Sequence, residues 1–190
     1  MSQWGIENVV NFYLSSRNSY KDLYNSEKKP LLKIKKNNIN NILDFGCAAG
    51  GFYKIFKSLF KKIKYHGLDT EPNIIRAARI IFKKNKNVKF SVVKKKNLGL
   101  RDNSYSLAFC TGVLNHNVDY KKIIDELLRV SSKYIFIDSP RVHSGKSFIG
   151  KLDLTKRFPS KFKKKNIVNN YTINLENYLK FLKKSFVKNN

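Results

Sequence analysis

Apolar residues follow two spacings in the middle of the chain. Short segments with the length and apolar content of strands occupy residues 41–45, 64–68, 88–93, 105–110 and 133–138, and the first is an apolar run typical of a buried strand. Between these segments, apolar residues recur three and four positions apart, which predicts helices over 51–60, 71–84 and 119–130. Strands that alternate with helices build a parallel sheet with helices on both faces. We therefore expect an α/β fold around a doubly wound, mainly parallel sheet.

The two ends of the chain lack this alternation. Residues 1–38 contain an amphipathic stretch and a basic segment, and they predict one or two helices that cap a core of residues 39–140. Residues 141–190 predict an exposed basic loop over 141–170 and then a helix over 174–186. The predicted packing face of that helix is formed by Leu175, Tyr178, Leu179, Leu182 and Phe186, and a membrane-surface helix is the alternative. Since few residues follow the fifth strand, strands six and seven should be short or absent, and we interpret residues 1–190 as a single domain.

Composition restricts the class of protein and the cellular compartment that we expect. Hydrophobic residues make up 42% of the 190 residues, which is enough for a packed core and too many for a disordered chain. No apolar run is long enough to cross a membrane, and no secretory signal pattern opens the sequence, so we expect no transmembrane segment. The two cysteines, Cys47 and Cys110, show no metal-ligand spacing and no disulfide framework. This predicts no metal site and a reducing, cytoplasmic location.

The formal net charge of +26 leaves two interpretations open. A basic excess of this size favours RNA or another polyanion as a partner. Seven lysines with no acid between them crowd one region, at Lys83, Lys84, Lys86, Lys89, Lys94, Lys95 and Lys96. The abundance of Lys, Asn, Ile, Tyr and Phe also fits a compositional bias that has no binding role.

A turn of small residues follows the first predicted strand, in the segment Asp44-Phe45-Gly46-Cys47-Ala48-Ala49-Gly50. Small residues at positions 46, 48 and 50 let the backbone approach a ligand and let the next helix start close to the strand. Asp69 ends the second strand, where a carboxylate can accept hydrogen bonds from both hydroxyls of a ribose. With one substitution, Gly46-x-Ala48-x-x-Gly51 also fits a dinucleotide-binding turn.

These segments resemble two motifs of the class I S-adenosylmethionine-dependent methyltransferases, whose sheet is Rossmann-like. Asp44, two residues before the first glycine, favours this family over a dinucleotide fold. Residues 87–116 are similar to the family's stretch from the third strand to the end of the fourth, and 102–116 resemble its small-molecule branch. Residues 24–28 resemble a lead-in segment that some members fold over the cofactor. The main resemblance covers roughly residues 40–140.

The resemblance implies S-adenosyl-L-methionine as the cofactor. The residues that it assigns to cofactor binding are Asp44, Gly46, Cys47, Ala48, Gly50, Asp69, Thr70, Leu98, Thr111 and Gly112. The family often has an acidic residue after the third strand, where it contacts adenine, whereas this sequence has Lys94-Lys95-Lys96. We therefore expect backbone groups and the apolar surface near Leu98 to hold the adenine.

His116 is the candidate catalytic residue. It follows the fourth strand at the ligand edge of the sheet, and a hydroxyl nucleophile needs a general base. A loop or helix-capping role is the alternative. Asp138 and His143 are expected at the same edge, and Arg141 is a candidate for binding an anionic substrate group.

The methyl acceptor stays open at this stage. No Asn/Asp-Pro-Pro-Tyr/Phe tetrapeptide follows the fourth strand, so the usual motif for amino methylation of bases is missing. Cys110 has no neighbouring proline, which argues against cytosine C5 methylation through a cysteine adduct. The first hypothesis is a small-molecule or glycan acceptor, the second is RNA, and the third is a non-catalytic cofactor-binding module. The pattern does not indicate an oligomeric state.

Overall fold

A five-stranded parallel sheet forms the centre of the computed structural model, which describes residues 11–13, 15–93, 98–138, 140–157 and 165–188. Its strands are β1 (Asn41–Phe45), β2 (Lys64–Asp69), β3 (Val88–Val92), β4 (Tyr105–Cys110) and β5 (Ser131–Ile137). Their order is β3-β2-β1-β4-β5, and every neighbouring pair is parallel. The winding direction therefore reverses between β1 and β4. This confirms the predicted α/β, Rossmann-like, doubly wound sheet.

Four helices accompany this sheet: α1 (Asn25–Lys35), α2 (Gly51–Leu59), α3 (Pro72–Ile81) and α4 (Tyr120–Val130). Because right-handed crossovers lead from β1 through β2 to β3 in one direction and from β4 to β5 in the other, α2 and α3 cover one face and α4 covers the opposite face. Ile42 packs in the same apolar cluster as Phe56 of α2, whereas its neighbour Leu43 packs with Leu127 of α4. The α2, α3 and α4 helices were predicted from the apolar spacing, within a few residues at each end.

The N-terminal part lies against the α2 face of the sheet. Residues 11–13 are helical, and a 3₁₀ turn (Tyr20–Asp22) leads into α1. Leu23 and Leu31 are buried in the same cluster as Phe56. Helices in this region were predicted, although residues 1–10 of the predicted cap lie outside the described residues.

A second, three-stranded sheet follows β5, so the predicted exposed loop over 141–170 was wrong. It consists of β6 (Arg141–His143), β7 (Phe148–Asp153) and β8 (Ile167–Asn174) in the order β6-β8-β7, with a short helix α5 (Leu154–Arg157) after β7. The buried positions of β8 include the polar residues Asn170 and Thr172 beside Val168. The alternation of apolar and polar residues that predicts a strand is therefore missing from this segment of the sequence. Most of the lysine-rich run at 161–165 lies outside the described residues. The main sheet ends at β5, in line with the prediction that its sixth and seventh strands would be short or absent, and the later strands form the separate second sheet.

The last helix, α6 (Leu175–Lys188), packs on α4, in line with the favoured prediction. Its contact is aromatic, since the ring of Tyr120 lies 5.9 Å from the ring centroids of both Tyr178 and Phe181. The predicted packing face was only partly correct, because Leu179 is 54% exposed and Leu175 is also exposed. In the described part of the chain, no helix combines the length and the apolarity that crossing a membrane requires.

Candidate functional site

The β1–α2 turn adopts a backbone that requires small residues. Gly46 and Gly50 have φ of +80° and +81°, and Ala48 between them has φ of +46°. A Cβ atom on Gly46 would lie 2.2 Å from Cγ2 of Val113, so a side chain does not fit there. The amide N–H groups of Gly46 and Cys47 both donate to the carbonyl of Leu68, at 2.7 and 3.0 Å. The turn is therefore fixed to the end of β2.

Asp69 joins two turns at the end of β2. Its Oδ2 accepts a hydrogen bond from the backbone N–H of Ala48 at 3.0 Å, and its Oδ1 accepts one from the N–H of Glu71 at 3.0 Å. Burial raises the pKa of Asp69, and these backbone donors act in the opposite direction. A carboxylate has about four acceptor positions. Asp69 therefore retains the capacity to accept hydrogen bonds from a ligand.

Asp44 is buried one strand away. The hydroxyl of Tyr65 donates to Asp44 Oδ2 at 2.5 Å. Burial raises the pKa of Asp44 to about 7; the hydrogen bond from Tyr65 lowers it, and the charge of Asp69 raises it further. Asp44 supports the strand end behind the turn and is not among the residues that line the neighbouring cavity.

A cavity of about 230 Å³ opens at the carboxyl ends of β1, β2 and β4. Eight of the residues predicted from the sequence line it: Gly46, Cys47, Ala48, Asp69, Thr70, Thr111, Gly112 and His116. Gly50 shapes the turn without lining the cavity. Leu98 packs in the cluster on the α4 side, and its N–H donates to Glu126 at 3.0 Å. Residues 94–97, which include the three lysines expected near adenine, lie outside the described residues.

His116 ends a 3₁₀ turn (Leu114–His116) after β4. Its Nδ1 lies 2.6 Å from the carbonyl oxygen of Asn169 on β8. A carbonyl only accepts hydrogen bonds, so Nδ1 carries the proton and, in the neutral ring, Nε2 carries the lone pair. The second sheet thus sets the tautomer of a histidine on the cavity wall.

Asp138 orders the turn after β4. Its Oδ2 accepts a hydrogen bond from the N–H of Gly112 at 2.7 Å, and burial raises its pKa. The other two residues expected at this edge, Arg141 and His143, do not line the cavity. His143 Nε2 instead contacts the carbonyl of Lys146 at 2.6 Å.

The N-terminal segment forms part of the cavity wall, and the sequence analysis did not assign these residues to the site. Tyr13, Ser16 and Arg17 line the cavity. The Arg17 guanidinium pairs with the buried carboxylate of Glu27 at 2.8 Å and lies 4.4 Å from the ring centroid of Tyr24. Burial, with the charge of Asp69 adding to it, raises the pKa of Tyr13 to about 12. The resemblance of residues 24–28 to a lead-in segment was the available signal, because it includes Glu27.

The chemistry of the cavity is that of oxygen and nitrogen donors and acceptors. It combines two carboxylates, Asp69 and Glu71, with one guanidinium, one imidazole and apolar walls that include Phe45 and Ile74. Within the described ranges, no three His, Cys, Asp or Glu side chains lie close enough together to hold a metal ion.

Comparison with known proteins places this site in context. A family model for a methyltransferase domain matches residues 36–186. A search of curated protein sequences finds no match. Among solved structures, the chain is similar to phosphoethanolamine N-methyltransferase 2 of Haemonchus contortus in complex with phosphomonomethylethanolamine and S-adenosylhomocysteine, with a TM-score of 0.61 and 19% identity. That match covers 95% of this chain and 42% of the other, so this chain spans less than half of the Haemonchus protein.

A second similar structure is closer in length. It is an S-adenosylmethionine-dependent methyltransferase from Mesorhizobium loti, with a TM-score of 0.59, 15% identity and coverage of 82% of this chain and 78% of the other. Identities this low show a shared fold, whereas the family model covers most of the chain. The chain therefore belongs to the methyltransferase-domain family and has the fold of the class I S-adenosylmethionine-dependent methyltransferases.

Proposed function

We propose that this chain transfers a methyl group from S-adenosylmethionine to a small-molecule acceptor. The observation that carries the proposal is that Asp69 and His116 line one cavity, with the turn of Gly46 and Ala48 beside them. The carboxylate is suited to bind the ribose of the methyl donor. The histidine, with a lone pair on Nε2, is suited to take a proton from the methyl acceptor.

The cofactor side of the cavity suits S-adenosylmethionine in charge and in shape. Asp69 has acceptor capacity for the ribose hydroxyls, and Asp69 and Glu71 bring negative charge near a sulfonium cation. The left-handed turn at Gly46 presents backbone without side chains. When bound, S-adenosylmethionine supplies a methyl group on an electrophilic sulfonium; the chain has to position the acceptor in line with it.

The acceptor side supplies a proton acceptor. The carbonyl of Asn169 holds the proton of His116 on Nδ1, so the neutral ring has its lone pair on Nε2. A hydroxyl group of an acceptor can transfer its proton to that atom as it attacks the methyl group, whereas an ammonium group has to transfer a proton to it before the nitrogen attacks. The N–H of Gly112 is already bonded to Asp138, which fixes the backbone next to the site of attack.

The cavity wall favours a small acceptor over a polynucleotide. Tyr13, Ser16 and Arg17 lie on its N-terminal side, and among the lining residues that the structure describes Arg17 is the sole Lys or Arg. Its charge is already paired with Glu27. A nucleic-acid strand needs a track of cations along its phosphates. A metabolite or a single sugar unit matches this wall better, and the similar Haemonchus structure holds a small phosphorylated amine.

The test has two parts, cofactor binding and methyl transfer. In titration calorimetry with S-adenosylhomocysteine we expect binding by the native protein. Asp69→Ala should lower the affinity about tenfold to a hundredfold, which is the value of one charge-assisted hydrogen bond. The matched control is Asp153→Ala, because Asp153 also accepts a hydrogen bond from the amide two residues later, at 2.9 Å, and lies outside the cavity. Equal loss in both variants would contradict the assignment of Asp69.

Methyl transfer separates the acceptor hypotheses. The protein is incubated with methyl-labelled S-adenosylmethionine and cell extract divided into low-molecular-weight, glycan, RNA and protein fractions. We expect label in the low-molecular-weight fraction. Label in the RNA fraction alone would replace this proposal with an RNA methyltransferase. Cofactor binding with no label in any fraction would favour a non-catalytic module.

A further inference from the structure

A notch between α2 and α3 carries an unneutralised cluster of lysines. Lys54 and Lys57 of α2 line it together with Lys84, which follows α3. Tyr53 and Asn85 line the same notch and share a hydrogen bond of 2.5 Å. It shares no lining residue with the cavity that holds Asp69 and His116.

The surroundings of the notch contain no acidic residues in sequence. No Asp or Glu occurs in residues 45–68 or 72–101, which include both helices. All three notch lysines are exposed, and no ion pair of the described part of the chain uses them. Other exposed lysines, including Lys83 and Lys86, stand next to them in sequence. This surface therefore attracts anions.

Two large aliphatic side chains lie exposed beside these cations. Ile80 is 62% exposed and Ile81 is 47% exposed, at the C-terminal end of α3. Exposed aliphatic groups among lysines are typical of surfaces that lie in the headgroup region of a bilayer, where the lysines contact anionic lipids and the aliphatic groups reach the acyl boundary. A nucleic acid would gain little from an isoleucine, which offers neither a ring for stacking nor a hydrogen bond.

We propose that this lysine–isoleucine face, formed by Lys54, Lys57, Lys84, Ile80 and Ile81, docks the protein on an anionic lipid surface. The C-terminal end of α3 lies at the edge of the sheet opposite the carboxyl ends of the strands, because a crossover helix returns the chain to the start of the next strand. Since the notch and the cavity of Asp69 and His116 share no lining residue, docking through this face leaves the cavity open to acceptors in solution.

The first experiment is flotation of the full chain with vesicles at about 0.1 M salt, where surface charges still act over about 10 Å. We expect binding to vesicles of phosphatidylcholine with phosphatidylserine and none to phosphatidylcholine alone. The triple variant Lys54→Gln/Lys57→Gln/Lys84→Gln should lower the partition coefficient about a hundredfold, since each lysine near the surface contributes about fivefold. The control Lys122→Gln/Lys183→Gln/Lys184→Gln makes the same charge change in exposed lysines of α4 and α6, on the other face of the sheet. Equal losses in the two triple variants would overturn the proposal.

The second experiment separates a bilayer from a nucleic acid. Ile80→Ser/Ile81→Ser should lower vesicle binding by about tenfold and leave retention of a single-stranded oligonucleotide unchanged. Leu179→Ser, at a residue 54% exposed on α6, is the matched control and should bind vesicles like the native protein. Native vesicle binding by the isoleucine variant, or displacement of vesicles by stoichiometric oligonucleotide, would overturn the proposal in favour of a polyanion in solution.

Discussion

The two sheets of this protein reach their folded state by different means. Every residue of β4 in the main sheet is buried, and two large apolar clusters cover the sheet's two faces. The second sheet has a small cluster in which Leu154 and Val168 are the buried members, and its Ile173 is buried in the α4-side cluster of the main sheet. Phe148 and Ile149 on β7 are exposed. The first sheet is therefore buried on both faces, whereas the second combines strand pairing with the packing of Ile173 against the first. The two meet where Asn169 of β8 contacts His116.

The largest effect is expected from a substitution of His116, where the two sheets meet. His116→Gln removes the proton acceptor and keeps a side chain of similar size, so we expect methyl transfer to slow by about 10²–10⁴-fold. Affinity for S-adenosylhomocysteine should stay within about threefold of the native value, because the residues proposed to contact the cofactor belong to the main sheet and its turns. Single-turnover kinetics and calorimetry measure the two quantities. A loss of affinity as large as the loss of rate would assign His116 to cofactor binding instead.

A matched pair of core substitutions tests the difference in burial. Leu107 of β4 is fully buried in a large cluster, whereas Leu154 of α5 is 6% exposed in a small one. We expect Leu107→Ala to lower the free energy of unfolding by about 4 kcal/mol and Leu154→Ala by about 2 kcal/mol, since the smaller cluster relaxes more readily around a cavity. Urea unfolding measures both values. Similar losses would show that the second sheet is as tightly packed as the first.

Alanine substitutions at two glycines of the cavity distinguish the stability cost of backbone strain from the cost of side-chain crowding. Gly46 and Gly112 both have left-handed φ, at +80° and +70°. A Cβ on Gly46 would lie 2.2 Å from Val113, whereas one on Gly112 would have no atom within 4 Å. Gly112→Ala should therefore cost about 1–2 kcal/mol of stability from strain alone, and Gly46→Ala about 1–3 kcal/mol more from overpacking. Thermal unfolding provides the comparison, and equal costs would mean that Val113 moves aside.

The smallest expected effect is the pH dependence from Asp44. Its folded-state pKa of about 7 lies above its ordinary value of 3.8, so its contribution to stability is complete below about pH 3.8, is lost as pH rises from there to about 7, and changes little at higher pH. Between pH 6.5 and 8 we expect the native protein to lose on the order of 1 kcal/mol more than Asp44→Asn. This window lies above the range in which His66, whose pKa is lowered to about 4, changes charge. Parallel stability curves for the two proteins would contradict the raised pKa of Asp44.

The difference in burial between the two sheets explains why the sequence predicted the first sheet and not the second. A strand buried on both faces reads as a continuous apolar run, which is why β4 was predicted to the residue. In β8 the buried side alternates Val168, Asn170 and Thr172, and the apolar pattern that marks a strand is absent. The second sheet could not be predicted, because it forms through pairing between β7 and β8, which the spacing of apolar residues within each segment does not reveal.

The residues of the candidate site also fall into a group that the sequence predicted and a group that it did not. The turn at Gly46 and the carboxylate of Asp69 belong to short motifs, so sequence reasoning placed both at the cavity. Tyr13 and Arg17 reach the same cavity from more than fifty positions before Asp69. Arg17 is held by its ion pair with Glu27, and Tyr13 packs against the cluster of Leu154 and Val168. A buried carboxylate needs a cation, but the sequence does not say which of the many basic residues supplies it.

The hydrogen bond from His116 to position 169 has a consequence for how such sites are recognised in other chains. The acceptor is a main-chain oxygen, which every residue type carries. Evolution is thus free to vary the side chain at 169 while the imidazole keeps its orientation, and alanine scanning would pass over the contact. A shift of β8 by one residue would remove it. Comparisons among relatives will therefore detect this support through the spacing between the histidine and the strand, and not through any shared amino acid.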